Sequence, residues 1–376
     1  MKSREPVLVH GRDYWDEINL PATAFADRID QIRGRMTDEG VDVLLVYGRG
    51  DRDGDLCYVS NLVNKVPNWG LLVCITHDHV SVRNERSSRT RPVIERGTWI
   101  DDIQFCDNVL EDLDDVLGAP ENRIGTAAFD RLPYQQRSRF ETHATDYDIV
   151  AFDDALADLR AAKSRQERDQ IARAGRIAAD VHEALDAVDR NDVSERDLAG
   201  EADYRARLRG AQDVRFLVSN PARTEADLRP AEERRVDADE PIGVYTAVRF
   251  EGYWAECART LRLDGEAPHA EYSDVTDAYA AFLESITPGT TASQVVDQAR
   301  SAASELGWEL SPEYDVLHGI GLEADEAPIG DDEAELTAGM TVSARLALRP
   351  DADSLLVLND TLALRNDGPD VLTGDW

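Results

Sequence analysis

Four strand-length apolar runs in the second half of the chain, residues 242–250, 252–262, 341–348 and 355–364, fall between and after helical stretches. That order limits the fold more than any other feature. Ser164 with Glu167 three residues on forms a capping box, and Ile171, Ala174, Ala178, Val181, Leu185 and Val188 recur at helical spacing. One long amphipathic helix is predicted there. Ser194 with Asp197 predicts the start of the next, and a third helical stretch over 272–285 stops before Pro288 and Gly289. Helices outside an antiparallel sheet make an α+β arrangement. The earlier residues read as a smaller mixed α/β domain, with an apolar run at 41–46 and late alternation in 70–82. At 376 residues two domains are expected, 1–155 and 156–376.

Seven segments sharpen this. Residues 25–46 with 56–62 (LCYVSNL), 159–175 (LRAAKSRQERDQIARAG), 252–260 (GYWAECART), 287–290 (TPGT), 318–322 (HGIGL), 339–342 and 367–373 (DGPDVLT) follow one another in a recognisable order and spacing. Together they resemble the creatinase, prolidase and aminopeptidase P family, over nearly the whole chain. The resemblance implies a C-terminal "pita-bread" domain behind a creatinase-type N-terminal domain. It also implies a homodimer and a peptide or other small-molecule ligand.

The family's peptidases hold two metals with Asp, Asp, His, Glu and Glu, since hard cations want anionic oxygen and bridging carboxylates offset their repulsion. By the resemblance those five positions fall on Tyr245, Glu256, His318, Arg345 and Asn359, so four carboxylates become one. A slip of one residue to Asp360 would turn the side chain to the opposite face of the strand. Glu240 lies too far from Tyr245 to substitute. Arg345 adds a physical objection: a guanidinium about 4 Å from a divalent cation costs about 8 kcal/mol at an effective dielectric near 20. Arg345 is expected instead to take the place of metal charge and pair with Glu256, bidentately. No metal and no other cofactor is expected.

Two histidines that steady substrate in the family fall on Asp227 and Asp325 here, and creatinase's own glutamates fall on Ala258 and Arg345. A creatine substrate is therefore not implied. His318 is read either as a retained, satisfied imidazole or as a general acid or base. Tyr245, Glu256, His318 and Arg345 are the candidate catalytic residues, and Asn359, Asp325 and Asp227 the candidate ligand-binding ones. Gly319 and Gly321 lack the spacing of a phosphate loop and are read as tight packing. Cys257 has no neighbour that would activate a thiolate.

Charge and composition bound the partners. The chain carries 75 acidic against 41 basic residues, a net charge of −34, and its lysines are only Lys2, Lys65 and Lys163. Spread along the chain, such acidity reads as a solvated surface adapted to high salt, where the Debye length falls to about 3 Å. Phosphates would be repelled, so nucleic acid is excluded as a partner. The start of the chain has no apolar targeting core and no run is long enough to span a bilayer, which predicts a cytoplasmic protein without membrane contact. Four cysteines without a C-x-x-C pair are expected as free thiols. Three functions remain open: a metal-free relative that binds or transforms a small amino-acid-like or peptide ligand, a non-enzymatic peptide- or protein-binding module, and an Xaa-Pro aminopeptidase or dipeptidase with residual metal-dependent activity.

Overall fold

The computed structural model describes residues 15–48, 53–62, 70–85, 91–186, 188, 193–221, 227–270, 272–326, 333–351 and 354–374. Lys2 and Lys65 lie outside them. The chain divides into two compact units, the first spanning residues 12–160 and the second taking in 161–376.

In the first unit the described residues form a six-stranded mixed sheet of β1 (Val43–Gly48), β2 (Leu71–Thr76), β3 (Val80–Glu85), β4 (Ile103–Cys106), β5 (Arg123–Ala127) and β6 (Asp148–Ala151), in the order β4-β3-β2-β1-β5-β6. Helices α1 (Ala22–Glu39), α2 (Gly54–Ser60), α3 (Arg91–Gly97), α4 (Asp114–Leu117), α5 (Tyr134–His143) and α6 (Asp153–Ala161) complete it. The central strand β1 is buried along its whole length, as a strand covered on both faces requires. Val43, Leu45 and Tyr47 pack there with Leu72, Cys74 and Phe140.

The second unit opens with α7 (Arg165–Asp186), capped as its sequence predicts: Ser164 N–H donates to Glu167 Oε2 at 2.9 Å and Glu167 N–H to Ser164 Oγ at 3.3 Å. Its apolar stripe of Ile177, Ala178, Val181 and Leu185 packs on Val244, Val248 and Cys257 of the sheet. The capping box of Ser194 and Asp197 starts α8 (Glu195–Leu208). Then come β7 (Asp213–Ser219), β8 (Ile242–Phe250), β9 (Tyr253–Leu261), α9 (Tyr272–Ser285), α10 (Ala292–Glu305), β10 (Glu309–Leu310), β11 (Leu317–Gly319), β12 (Thr341–Arg349), β13 (Leu356–Arg365) and β14 (Gly368–Val371). Among the described residues the strands form an eight-stranded antiparallel sheet, β10-β12-β13-β9-β8-β7, with β11 beside β12 and β14 beside β13.

One turn fixes the register that matters most. Glu251 and Gly252 link β8 to β9 with φ of 52° and 89°, the positive dihedrals of a two-residue hairpin. Phe250 therefore faces Tyr253, Tyr245 faces Ala258 and Ala247 faces Glu256. Helices α9 and α10 cover the same sheet face as α7, where Val342, Leu346, Leu348 and Leu358 meet Tyr279, Leu283 and Val295. Among the described residues of this unit, that leaves the opposite face, with Tyr245, Trp254, Ala258 and Val357, free of helix and lined for a site. Among the described residues no helix is long and apolar enough to cross a membrane, and all four cysteines are free thiols.

Candidate functional site

Strand alternation sends every second side chain of β7, β8, β9, β12 and β13 to the helix-free face. Two rows run across it. The pairings Leu217 with Tyr245, Tyr245 with Ala258, Ala258 with Asn359, and Asn359 with Arg345 make one row. The second row joins Arg215 to Ala247, Ala247 to Glu256, Thr361 to Ser343, and Ser343 to His318. Thr361 Oγ1 bridges its middle, accepting from Glu256 N–H at 2.8 Å and donating to Glu256 C=O at 3.1 Å. The sheet thus gathers Tyr245, Glu256, His318, Arg345 and Asn359 on one surface.

Glu256 is the hub. Its Oε2 accepts from Ser343 Oγ at 2.9 Å and lies 3.2 Å from His318 Nε2 and 3.5 Å from Arg345 Nη2. Only 4 % of its side chain is exposed, so desolvation pushes its pKa up; His318, Arg345 and Tyr245 outweigh that and bring it down to about 2. Burial pulls His318 down, yet the charge and hydrogen bond of Glu256 hold its pKa above the usual histidine value. The pairing thus favours the carboxylate form of Glu256 and the protonated form of His318. Burial and the Glu256 charge raise the Tyr245 hydroxyl well above its ordinary value, which keeps it a neutral donor.

Arg345 pairs with Glu256 as expected, but through one long contact rather than a bidentate fork. His318 and Ser343 occupy the nearer approaches to Oε2. The guanidinium instead lies between two rings, 5.5 Å from the Tyr245 centroid and 5.9 Å from that of Tyr314. Its Nε is buried with no hydrogen-bond partner among the described residues. Asn359 donates to Ser343 Oγ at 2.8 Å and to Ala344 C=O at 2.9 Å, while its Oδ1 is likewise buried and unpartnered. Asp360 points to the helix side, where Arg259 Nη2 and Tyr279 hydroxyl bind its carboxylate at 2.7 and 3.0 Å.

The two aspartates stand at the edge. Asp227 accepts from Arg349 Nη2 at 2.9 Å, next to Tyr314, whose hydroxyl accepts from Leu228 N–H at 2.8 Å. Asp325 is exposed and acts on His318 only through its charge. Gly319 and Gly321 are packing positions: a Cβ would come within 2.5 Å of Glu326 C=O at the first and 2.8 Å of Glu326 Oε2 at the second. Among the described residues no group of three or more His, Cys, Asp or Glu side chains stands together as metal ligands do.

The sequence profile of metallopeptidase family M24 matches residues 169–362, more than half of the chain. The chain belongs to that family. It is similar to the Xaa-Pro dipeptidase of Pyrococcus horikoshii, 24% identical over 249 residues that make up 64% of this chain and 71% of that protein. A probable dipeptidase PepE of Mycobacterium tuberculosis is 26% identical over 233 residues, 60% of this chain and 61% of that one. Among solved structures, the prolidase from P. horikoshii superimposes with a TM-score of 0.78 at 21% identity, covering 93% of this chain and 99% of its own. The X-Pro aminopeptidase from Thermotoga maritima gives 0.79 at 19%, covering 93% and 98%. The fold is thus the creatinase, prolidase and aminopeptidase P fold that the seven segments imply.

In this M24 chain several residues of the site escaped sequence reasoning. Ser343 lies two positions before Arg345 and so on the same strand face, a signal that was present. Glu326 directly follows Asp325; its Oε2 receives Lys163 Nζ at 2.8 Å, and both side chains are 3% exposed. Tyr314 on its turn and Arg215 on β7 carry no local pattern that marks them.

Proposed function

We propose that this M24 protein binds a small amino-acid-like or peptide ligand through a carboxylate, without a metal. The observation that carries this reading is the occupancy of Glu256 Oε2 by Ser343, His318 and Arg345 at 2.9, 3.2 and 3.5 Å. A dinuclear centre needs several anionic oxygens. The donor set here offers one carboxylate, already bound by protein donors, and a guanidinium beside it, so the residues do not fit two metals. The Arg345 guanidinium has capacity to spare: its one ion pair among the described residues is long, and its Nε is unpartnered. A ligand carboxylate can take that fork from the open face, while Asn359 Oδ1 offers an acceptor for a ligand N–H.

Binding fits the electrostatics better than hydrolysis does. Activating a water needs a base, and Glu256 with its pKa near 2 is too weak to serve at neutral pH. Its pairing with Glu256 draws His318 towards the protonated form, which favours donating over accepting a proton. Family relatives named Xaa-Pro dipeptidase do not transfer their reaction to this donor set.

A thermal-shift comparison of free amino acids and dipeptides with their C-terminal amides tests the reading. Ligands with a free carboxylate should raise the melting temperature of the wild type, the amides should not, and Arg345→Gln should abolish the rise. Amides that stabilise as well as acids, or acids that still stabilise Arg345→Gln, would refute the carboxylate assignment.

A further inference from the structure

A second cation faces the same surface. Arg215 lies at the end of the row that contains Glu256, directly across β8 from it by register with Ala247. Its guanidinium is stacked over the indole of Trp254, 4.4 Å from the ring centroid, and it is exposed. Among the described residues no carboxylate pairs with it. In a chain of net charge −34, whose other exposed arginines mostly stand beside an Asp or Glu, that isolation is unusual.

Lying 4.4 Å from the Trp254 centroid holds the guanidinium without using its N–H groups, so the fork stays available for a planar anion. Arg345 is held the same way, between two tyrosine rings. Tyr245 feels the charge of both arginines: burial and Glu256 push its hydroxyl up, while Arg345 and Arg215 both draw it down. We infer that the ligand carries two acidic groups, one received by Arg345 and the other by Arg215 on its Trp254 platform. The ligand class is then a dicarboxylate or acidic amino acid, or a peptide with an acidic side chain, rather than a ligand with one carboxylate and an apolar remainder. This inference rests on the reading of Arg345 above, but Arg215 can be tested apart from it. Glu256 and Asp227 are each engaged by protein cations, which lessens their repulsion of a diacid, and Asp325 stands at the exposed edge.

Calorimetric titration of the full chain with succinate, glutarate and suberate, each beside the monocarboxylate of equal length (butyrate, valerate, octanoate), tests it at constant ionic strength. At least one diacid should bind about tenfold tighter than its monoacid, as a charge-assisted contact supplies. Arg215→Gln should erase that preference and leave monoacid affinity unchanged, and its melting temperature should match the wild type because the side chain is exposed. Arg215→Lys, which keeps the charge but not the stacked fork, should retain part of the preference. Equal binding within every pair, or a preference that survives Arg215→Gln, overturns the inference while leaving Arg345 as the carboxylate site. A preference lost in Arg215→Gln but intact in Arg345→Gln supports Arg215 and refutes the Arg345 reading. No binding of any acid to the wild type overturns both.

Discussion

Lys163→Met is expected to destabilise the protein by about 3–5 kcal/mol, the cost of leaving a buried charge without its partner. Lys163 Nζ donates to Glu326 Oε2 at 2.8 Å and to Ala161 C=O at 3.2 Å, and almost none of either charged side chain reaches solvent. The same Glu326 ties down the segment that follows His318: its N–H donates to Gly319 C=O at 2.8 Å and its Oε1 accepts from Glu323 N–H at 3.1 Å. Losing Lys163 therefore removes a buried cation from the carboxylate in the packing that orients His318. The double variant Lys163→Met with Glu326→Leu should recover most of the loss, since replacing both members of a buried pair by apolar groups is often close to neutral. Denaturant unfolding measures both. A single variant as stable as the wild type would mean that water reaches the pair.

Glu256→Gln is expected to cost about 3 kcal/mol near pH 5.5, by the usual 1.36 kcal/mol for each pKa unit between the folded value of about 2 and the ordinary 4.5. The sign follows from the direction of each shift. A carboxylate with a lowered folded pKa stabilises fully above its unfolded value, and that contribution disappears as pH falls from about 4.5 to 2. An imidazole with a raised folded pKa stabilises fully below about 6.5 and loses its contribution as pH rises through the folded value. The difference in stability between wild type and Glu256→Gln should thus be largest between pH 4.5 and 6.5, and shrink towards both acid and alkali. A difference that fails to shrink both below pH 4.5 and above pH 6.5 would show that the charges of Glu256 and His318 are not coupled as their 3.2 Å separation implies.

The long helix, the Ser194 capping box and the four main strands of the second unit were legible because each depends on local periodicity. The 272–285 helix matches α9 end to end. Helix α10 carries an equally clear box, Thr291 with Gln294, and a buried stripe of Ala292, Val295, Ala299 and Ala303 at helical spacing, so its signal was present in the sequence as well. At the site, Tyr245, Glu256, His318, Arg345 and Asn359 come together because strand register conveys them there, and register follows from the hairpin at Glu251 and Gly252. What sequence could not give was the order of approach to one oxygen. Ser343 and His318 reach Glu256 more closely than Arg345, so the expected fork becomes one long contact. Nor could it give Tyr314 or the Trp254 platform under Arg215, whose partners are distant in the chain and carry no periodic signal.

The donor set also decides what the family name can predict here. The proposed anionic ligand rests on one carboxylate, one imidazole and a guanidinium on a face shared with two buried, unpartnered polar atoms. Elemental analysis of the full-length protein, after equilibration with manganese, cobalt and zinc and removal of loose ions, tests this most directly. The account predicts far less than one metal ion per chain, with the same residue in His318→Ala. Near-stoichiometric metal that is lost in His318→Ala would contradict it.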